Sequence, residues 1–131
     1  MKKILGPAIR LDFRALKGPL QEDLTPDQYV AIISDRKVIG DPRVKTQHLL
    51  GAGSWSSPGD GTVQVWWQLR VAHQRFAAED MAEPINKGHA HGGNQHTYKK
   101  ISGTWKIVGI NAKVGWIEGD LFGTLNPPGG E

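Results

Sequence analysis

The feature that most constrains the fold is a long alternating segment at residues 62–76. Its odd positions carry the apolar residues Val63, Val65, Trp67, Leu69 and Val71. Most of its even positions are polar, and this period of two is typical of a β-strand with one buried face. His73 continues the apolar series. The segment therefore predicts a long strand that directs one imidazole toward the interior of a sheet.

The rest of the chain predicts one more strand, one helix and then strands alone. Residues 8–16 alternate like a strand, and a helix is predicted from Thr25, whose capping box includes Gln28, to about Arg36. Strands are then predicted at 44–55, 62–76, 88–100 and 104–113, with turn sequences at 57–61 and 102–103. This order predicts an α+β fold in which a strongly curved, mixed or antiparallel sheet and few helices enclose an apolar pocket.

Length and composition exclude several classes of protein. A chain of 131 residues has room for one domain, expected at residues 1–125 with a flexible tail at 126–131. The 16 basic and 13 acidic side chains are scattered, so no nucleic-acid partner is predicted, and the absence of cysteine excludes disulfides and thiol chemistry. No apolar run approaches the roughly 20 residues that span a bilayer. We expect no membrane partner and a cytoplasmic location.

A second histidine is expected near His73. His48 shares a strand face with Leu50 and Ala52, and sequential strands are usually neighbours. Two neutral imidazoles in an apolar cavity can take up and return protons near neutral pH, as the elimination of water requires. For His73 taken alone, a hydrogen-bonded core histidine is the alternative. Asn94 could hold a substrate hydroxyl, although an asparagine at a turn or strand edge is an equal alternative.

Two further features bear on metals and partners. His89 and His91 are two residues apart on one strand, so their imidazoles could share a metal ion. Because no further histidine or glutamate stands at an obvious matching spacing, we predict neither a metal nor a cofactor. Trp66 lies on the polar face of its strand, where it is expected to contact another subunit.

Residues 4–125 resemble the fungal scytalone dehydratases, a family that acts in polyketide-derived melanin synthesis and shares a cone-shaped fold with nuclear transport factor 2. The resemblance rests on residues 9–14, 38–42, 46–48, 68–76, 88–91 and 98–101, with Asn94, Trp105 and Lys106. It implies a cofactor-independent lyase that removes water from a cyclic hydroxy-ketone polyketide intermediate. It also implies a small aromatic substrate and a homotrimer.

The resemblance also implies a role for individual residues. His48 and His73 match the two catalytic histidines of the family, and Asn94 matches its substrate-hydroxyl amide. The remaining positions implied in substrate binding are Phe13, Ile32, Val38, Leu121 and Leu125.

Several auxiliary groups of the family are not matched. A tyrosine and an aspartate of the family's N-terminal helix have no counterpart, because the chain is expected to begin after that helix. A second tyrosine is matched by Phe13, and a serine that contacts the first histidine is matched by Gly92. These differences support a second hypothesis, a non-catalytic domain that binds a small aromatic ligand or only oligomerises.

Overall fold

One mixed sheet forms most of the molecule. The computed structural model describes residues 2–127. The strands are β1 (Leu5–Asp12), β2 (Leu20–Leu24), β3 (Val44–Ser56), β4 (Thr62–Phe76), β5 (Pro84–Ile101) and β6 (Thr104–Gly119), and the helices are α1 (Pro26–Ile33) and α2 (Leu121–Leu125). The sheet order is β2-β1-β6-β5-β4-β3, with β1 parallel to β6 and the other pairs antiparallel. The predicted α+β class is confirmed.

Several predicted boundaries are confirmed and others are wrong. β4 has the predicted bounds, and Thr25 and Gln28 form the predicted capping box. Ser102 and Gly103 both have positive φ, as a two-residue hairpin between β5 and β6 requires. The first strand spans Leu5–Asp12 instead of 8–16, because the chain turns after Phe13 into a short 3₁₀ segment. Helix α1 ends at Ile33, and β6 continues six residues beyond the predicted end at Lys113.

The main core lies at the β1 side of the sheet. Helix α1 packs there, and Tyr29, Val30 and Ile32 contact a buried cluster. The members of that cluster are Leu5, Ile9, Leu11, Leu24 and Ile110. At the opposite edge, β3 is exposed along most of its length. The two edges of the sheet therefore differ sharply in how much of their apolar surface is covered.

A buried arginine attaches the C-terminal helix to the sheet. The side chain of Arg75 is 2% exposed and donates to Asp41 Oδ2 (2.8 Å) and to the carbonyls of Thr124 (2.6 Å) and Leu125 (2.9 Å). Helix α2 packs against β4 and β5. Residues 128–131 of the predicted tail lie outside the described residues, so that prediction is not tested. Over residues 2–127, no helix is both long and apolar enough to cross a membrane.

Candidate active site

The structure brings His48 and His73 together on one face of the sheet. In the pairing of β3 with β4, Thr46 lies opposite His73 and His48 lies opposite Val71. The two imidazole centroids are 6.4 Å apart, with the rings nearly perpendicular. We call this side the histidine face and the other side the opposite face. The two histidines of the histidine face are close enough to contact one small substrate.

His73 is buried and has a hydrogen-bond partner. It is 6% exposed, and its Nδ1 lies 2.8 Å from Thr46 Oγ1. Burial lowers the pKa of His73 to about 4, with smaller contributions from His48 and His89. The imidazole is therefore neutral at neutral pH. Thr46 was not predicted, although the register of β3 on β4 would have identified it, since it lies two residues before His48 on the same face.

His48 has a more open environment. It lies on the edge strand β3, where it is exposed, and desolvation lowers its pKa as well. Because the His48 side chain is exposed, burial lowers its pKa only to a limited extent. Leu50, its neighbour on this face, is 57% exposed. The prediction that Ala52 shares the face is wrong, because a bulge between Leu50 and Gly53 shifts the alternation and places Gly53 opposite Trp67.

Asn94 lies on the histidine face but farther along the sheet. It pairs with Trp67, whereas Ala90 pairs with Val71 at the level of His48. Four residues of extended strand separate Ala90 from Asn94, which corresponds to about 13 Å. Asn94 Oδ1 is buried and has no hydrogen-bond partner among the described residues. Because an unpaired buried acceptor is unfavourable, this oxygen is suited to a ligand hydroxyl.

The other predicted binding residues are not gathered into one enclosed pocket. Phe13 and Ile32 pack against the main core cluster, and Val38 is half-buried in the segment between α1 and β3. Leu121 is buried where α2 meets β5, while Leu125 lines a cleft of about 270 Å³ beside Arg75. That cleft is not lined by either of the paired histidines. Their roles in binding stay predictions.

Gly92 is required by a close approach of β6. A Cβ atom added there would lie 2.1 Å from the carbonyl oxygen of Lys113. The register between β5 and β6 also shifts between His91 and Gly92. A serine at this position would therefore displace the backbone of β6 before its hydroxyl could reach His48.

Glu118 lies beside His89 and His91 on the opposite face. The three residues offer donor atoms that all lie within 4.8 Å of one another. The expectation that no third donor stands near these histidines is wrong. It failed because β6 was predicted to end at Lys113, so Glu118 was not assigned to a strand.

Comparisons with known proteins agree with this architecture. A family model described as scytalone dehydratase matches residues 1–126. The scytalone dehydratase of Pyricularia oryzae is 38% identical over 121 residues, covering 92% of this chain and 70% of the relative. The scytalone dehydratase of Colletotrichum orbiculare is also 38% identical over 121 residues, covering 92% and 64%. The chain thus spans about two thirds of the length of these relatives.

Solved structures with low sequence identity share the fold. The Kfla4162 protein of Kribbella flavida aligns with a TM-score of 0.71 at 13% identity, covering 89% of this chain and 76% of that one. A nuclear transport factor 2-like protein with a cystatin-like fold from Novosphingobium aromaticivorans aligns with a TM-score of 0.53 at 13% identity, covering 86% and 66%. At these identities the likeness concerns the fold alone, and it confirms the predicted fold type.

Proposed function

The chain belongs to the scytalone dehydratase family of hydro-lyases, and we propose that it eliminates water from a cyclic hydroxy-ketone intermediate of aromatic polyketide synthesis, such as melanin formation. The observation that carries the proposal is the pair of His48 and His73, two imidazoles 6.4 Å apart on one sheet face. The lowered pKa of each favours the neutral form that can accept a proton.

The proposed reaction conserves atoms and charge without a cofactor. A base removes a proton from the carbon next to the substrate carbonyl, and the electron pair left on that carbon forms a double bond to its neighbour. The bond from that neighbour to its hydroxyl breaks. His48, which took up the carbon-bound proton, returns it to the departing hydroxyl, which leaves as water, so both histidines end in their starting neutral state. Aromatisation of the ring drives the step.

The contacts of the two histidines support different roles. The low pKa of His73, about 4, makes it a weak base. If Thr46 donates to Nδ1, the hydrogen of His73 resides on Nε2, and this N–H can donate a hydrogen bond to a substrate oxygen. His48 has no such partner among the described residues, and we assign it the role of principal base. Asn94, which lies farther along the same face, would accept a hydrogen bond from another substrate hydroxyl through its unpaired Oδ1.

Turnover of a tetrahydroxylated tetralone by the purified chain tests the proposal. We expect His48→Ala and His73→Asn each to reduce kcat/KM by about 10²-fold or more, the usual range for loss of a general acid or base. His96→Ala is the matched control, because His96 is half-buried on the same sheet and hydrogen-bonds Tyr98 instead of the pair. Equal activity of all three variants and the wild type would exclude this mechanism.

A non-catalytic pocket protein is the second candidate. It is favoured by Phe13, which lacks a phenol, and by Gly92, where a serine does not fit. Binding of the tetralone by the wild type, with no turnover at any pH between 5 and 8, would select this candidate. Turnover that depends on His48 would exclude it.

We also propose that the chain forms the homotrimer implied by its family. The opposite face of the sheet carries exposed apolar side chains that would favour subunit contact, among them Leu49 and Trp66. Light scattering coupled to size exclusion measures the mass in solution. A monomer that persists as concentration rises would contradict the proposal.

A further inference from the structure

The opposite face carries a cluster of donors that the elimination does not use. His89 and His91 are two residues apart on β5, and Glu118 of β6 pairs directly with His89. The nitrogen and oxygen donors of the three residues lie within 4.8 Å of one another. In the alternation of β5 and β4 these side chains point away from the face that carries His48 and His73.

Two imidazole nitrogens of this cluster are left without partners. His89 Nδ1 and His91 Nε2 are buried, and neither has a hydrogen-bond partner among the described residues. His91 Nε2 lies 3.3 Å from Glu118 Oε1, which is an ion pair only when the imidazole is protonated. Burying a nitrogen lone pair without a donor or a cation is unfavourable. A metal ion would satisfy both nitrogens and the carboxylate at once.

Trp116 holds the second histidine and the carboxylate in place. Its indole stacks on the imidazole of His91, with centroids 4.5 Å apart and planes 8° from parallel. Its Nε1 also lies 3.5 Å from Glu118 Oε1, toward which it can donate. Groups that contact metal ligands in this way fix their orientation and raise affinity. Two of the three donor residues, His91 and Glu118, therefore have a neighbouring side chain that orients them.

We propose that His89, His91 and Glu118 bind one zinc ion. Two imidazoles and one carboxylate are a donor set that zinc accepts, with a fourth position left for water. Tetrahedral binding needs donors about 3–3.5 Å apart, so the longest separations must shorten, and the 58% exposed side chain of Glu118 can move to do so. Arg70 lies opposite His91, but it is exposed and no ion pair joins it to the cluster among the described residues.

Calorimetric titration of the full chain with zinc chloride, after treatment with a chelator, tests the site. We expect one zinc per chain with a dissociation constant below about 10 μM, together with an increase in Tm. Glu118→Gln changes an exposed side chain and is expected to weaken binding at least tenfold. His91→Ala should do the same, while His96→Ala, the matched control, should bind zinc like the wild type.

Two results would overturn the inference: no zinc binding by the wild type at that affinity, or unchanged binding in Glu118→Gln. If His91→Ala does not fold, as judged by circular dichroism, the Glu118→Gln result decides alone. Because the site faces away from His48, chelation is expected to leave turnover of the tetralone unchanged. If zinc does not bind, the proposed elimination is unaffected. If the elimination is not found, the proposed zinc site is unaffected.

Discussion

Replacing Asp41 by alanine is expected to destabilise the chain far more than replacing Asp12, although the two aspartates make the same hydrogen bonds to the arginine two residues later. Each is buried and binds the arginine two residues later through a backbone N–H and a guanidinium: Asp12 binds Arg14, and Asp41 binds Arg43. Hydrogen bonds from these arginines hold the pKa of both carboxyls well below the usual range. The main difference between the two sites is the contact between Asp41 and the buried Arg75, although Arg43 is also less exposed than Arg14 (34% against 64%).

The magnitude follows from what each substitution leaves behind. Asp12→Ala leaves Arg14, whose side chain is 64% exposed, to be solvated by water, so the loss should be about 1 kcal/mol. Asp41→Ala leaves the 2% exposed guanidinium of Arg75 without its counter-ion. Removing one partner of a buried pair typically costs about 3–5 kcal/mol. The predicted difference is therefore about 2–4 kcal/mol, or roughly 10 °C in Tm for a chain of this size.

Urea unfolding of both variants, followed by circular dichroism, measures the difference directly. The comparison requires that the slope of the unfolding free energy against urea concentration stay close to that of the wild type. Both transitions then expose the same amount of surface. Equal losses in Asp41→Ala and Asp12→Ala would refute the argument, since Arg75 would then be solvated or paired elsewhere. Arg75→Met offers a check, because it removes the buried charge while leaving Asp41 bound to Arg43. It should cost less than Asp41→Ala.

Three further predictions concern the histidine face. Because the pKa of His73 is about 4 in the folded chain and 6.5 in the reference state, the unfolded chain takes up the proton first as pH falls. Stability should therefore fall by about 3 kcal/mol between pH 6.5 and 4 through this group, and urea titrations should show a flatter profile for His73→Asn. Thr46→Val should lower kcat about tenfold and shift the pH–rate profile, as expected for loss of a hydrogen bond to an ionisable group, whereas Thr46→Ser should restore both. Gly92→Ser should lower Tm by destabilising the chain by about 1–3 kcal/mol without raising turnover, and a gain in activity would contradict the clash with Lys113.

The strands with strong alternation were predictable, and contacts between distant segments were not. The bounds of β4 follow from an unbroken apolar series between turn sequences, and the capping box of Thr25 is local. The strand β2 was missed because its five residues, mostly polar, become a strand by pairing with β1. A bulge in β3 cannot be read from the alternation that it interrupts, so Ala52 was placed on the wrong face.

The candidate site shows the same division. His48 and His73 were predicted to share a face because they lie on sequential strands, and the structure has them 6.4 Å apart. Arg75 and Asp41, by contrast, are separated by 34 residues, and no pattern in the sequence predicts their contact. The resemblance to a known family implied the roles of Asn94 and Leu121. Their distance from the histidines depends on the geometry of the sheet, which cannot be predicted from the sequence pattern.

The parallel pairing of β1 with β6 has a consequence for the order in which the chain folds. Leu11 pairs with Ile110, so β1 leaves the ribosome about a hundred residues before its partner strand exists. The hairpins β3–β4, β4–β5 and β5–β6 connect neighbours in sequence and close over much shorter loops, which favours early formation. We expect the two histidines to meet in an early hairpin, while the buried cluster around Ile9 closes last. Amide exchange during refolding would show protection in β4 before β1.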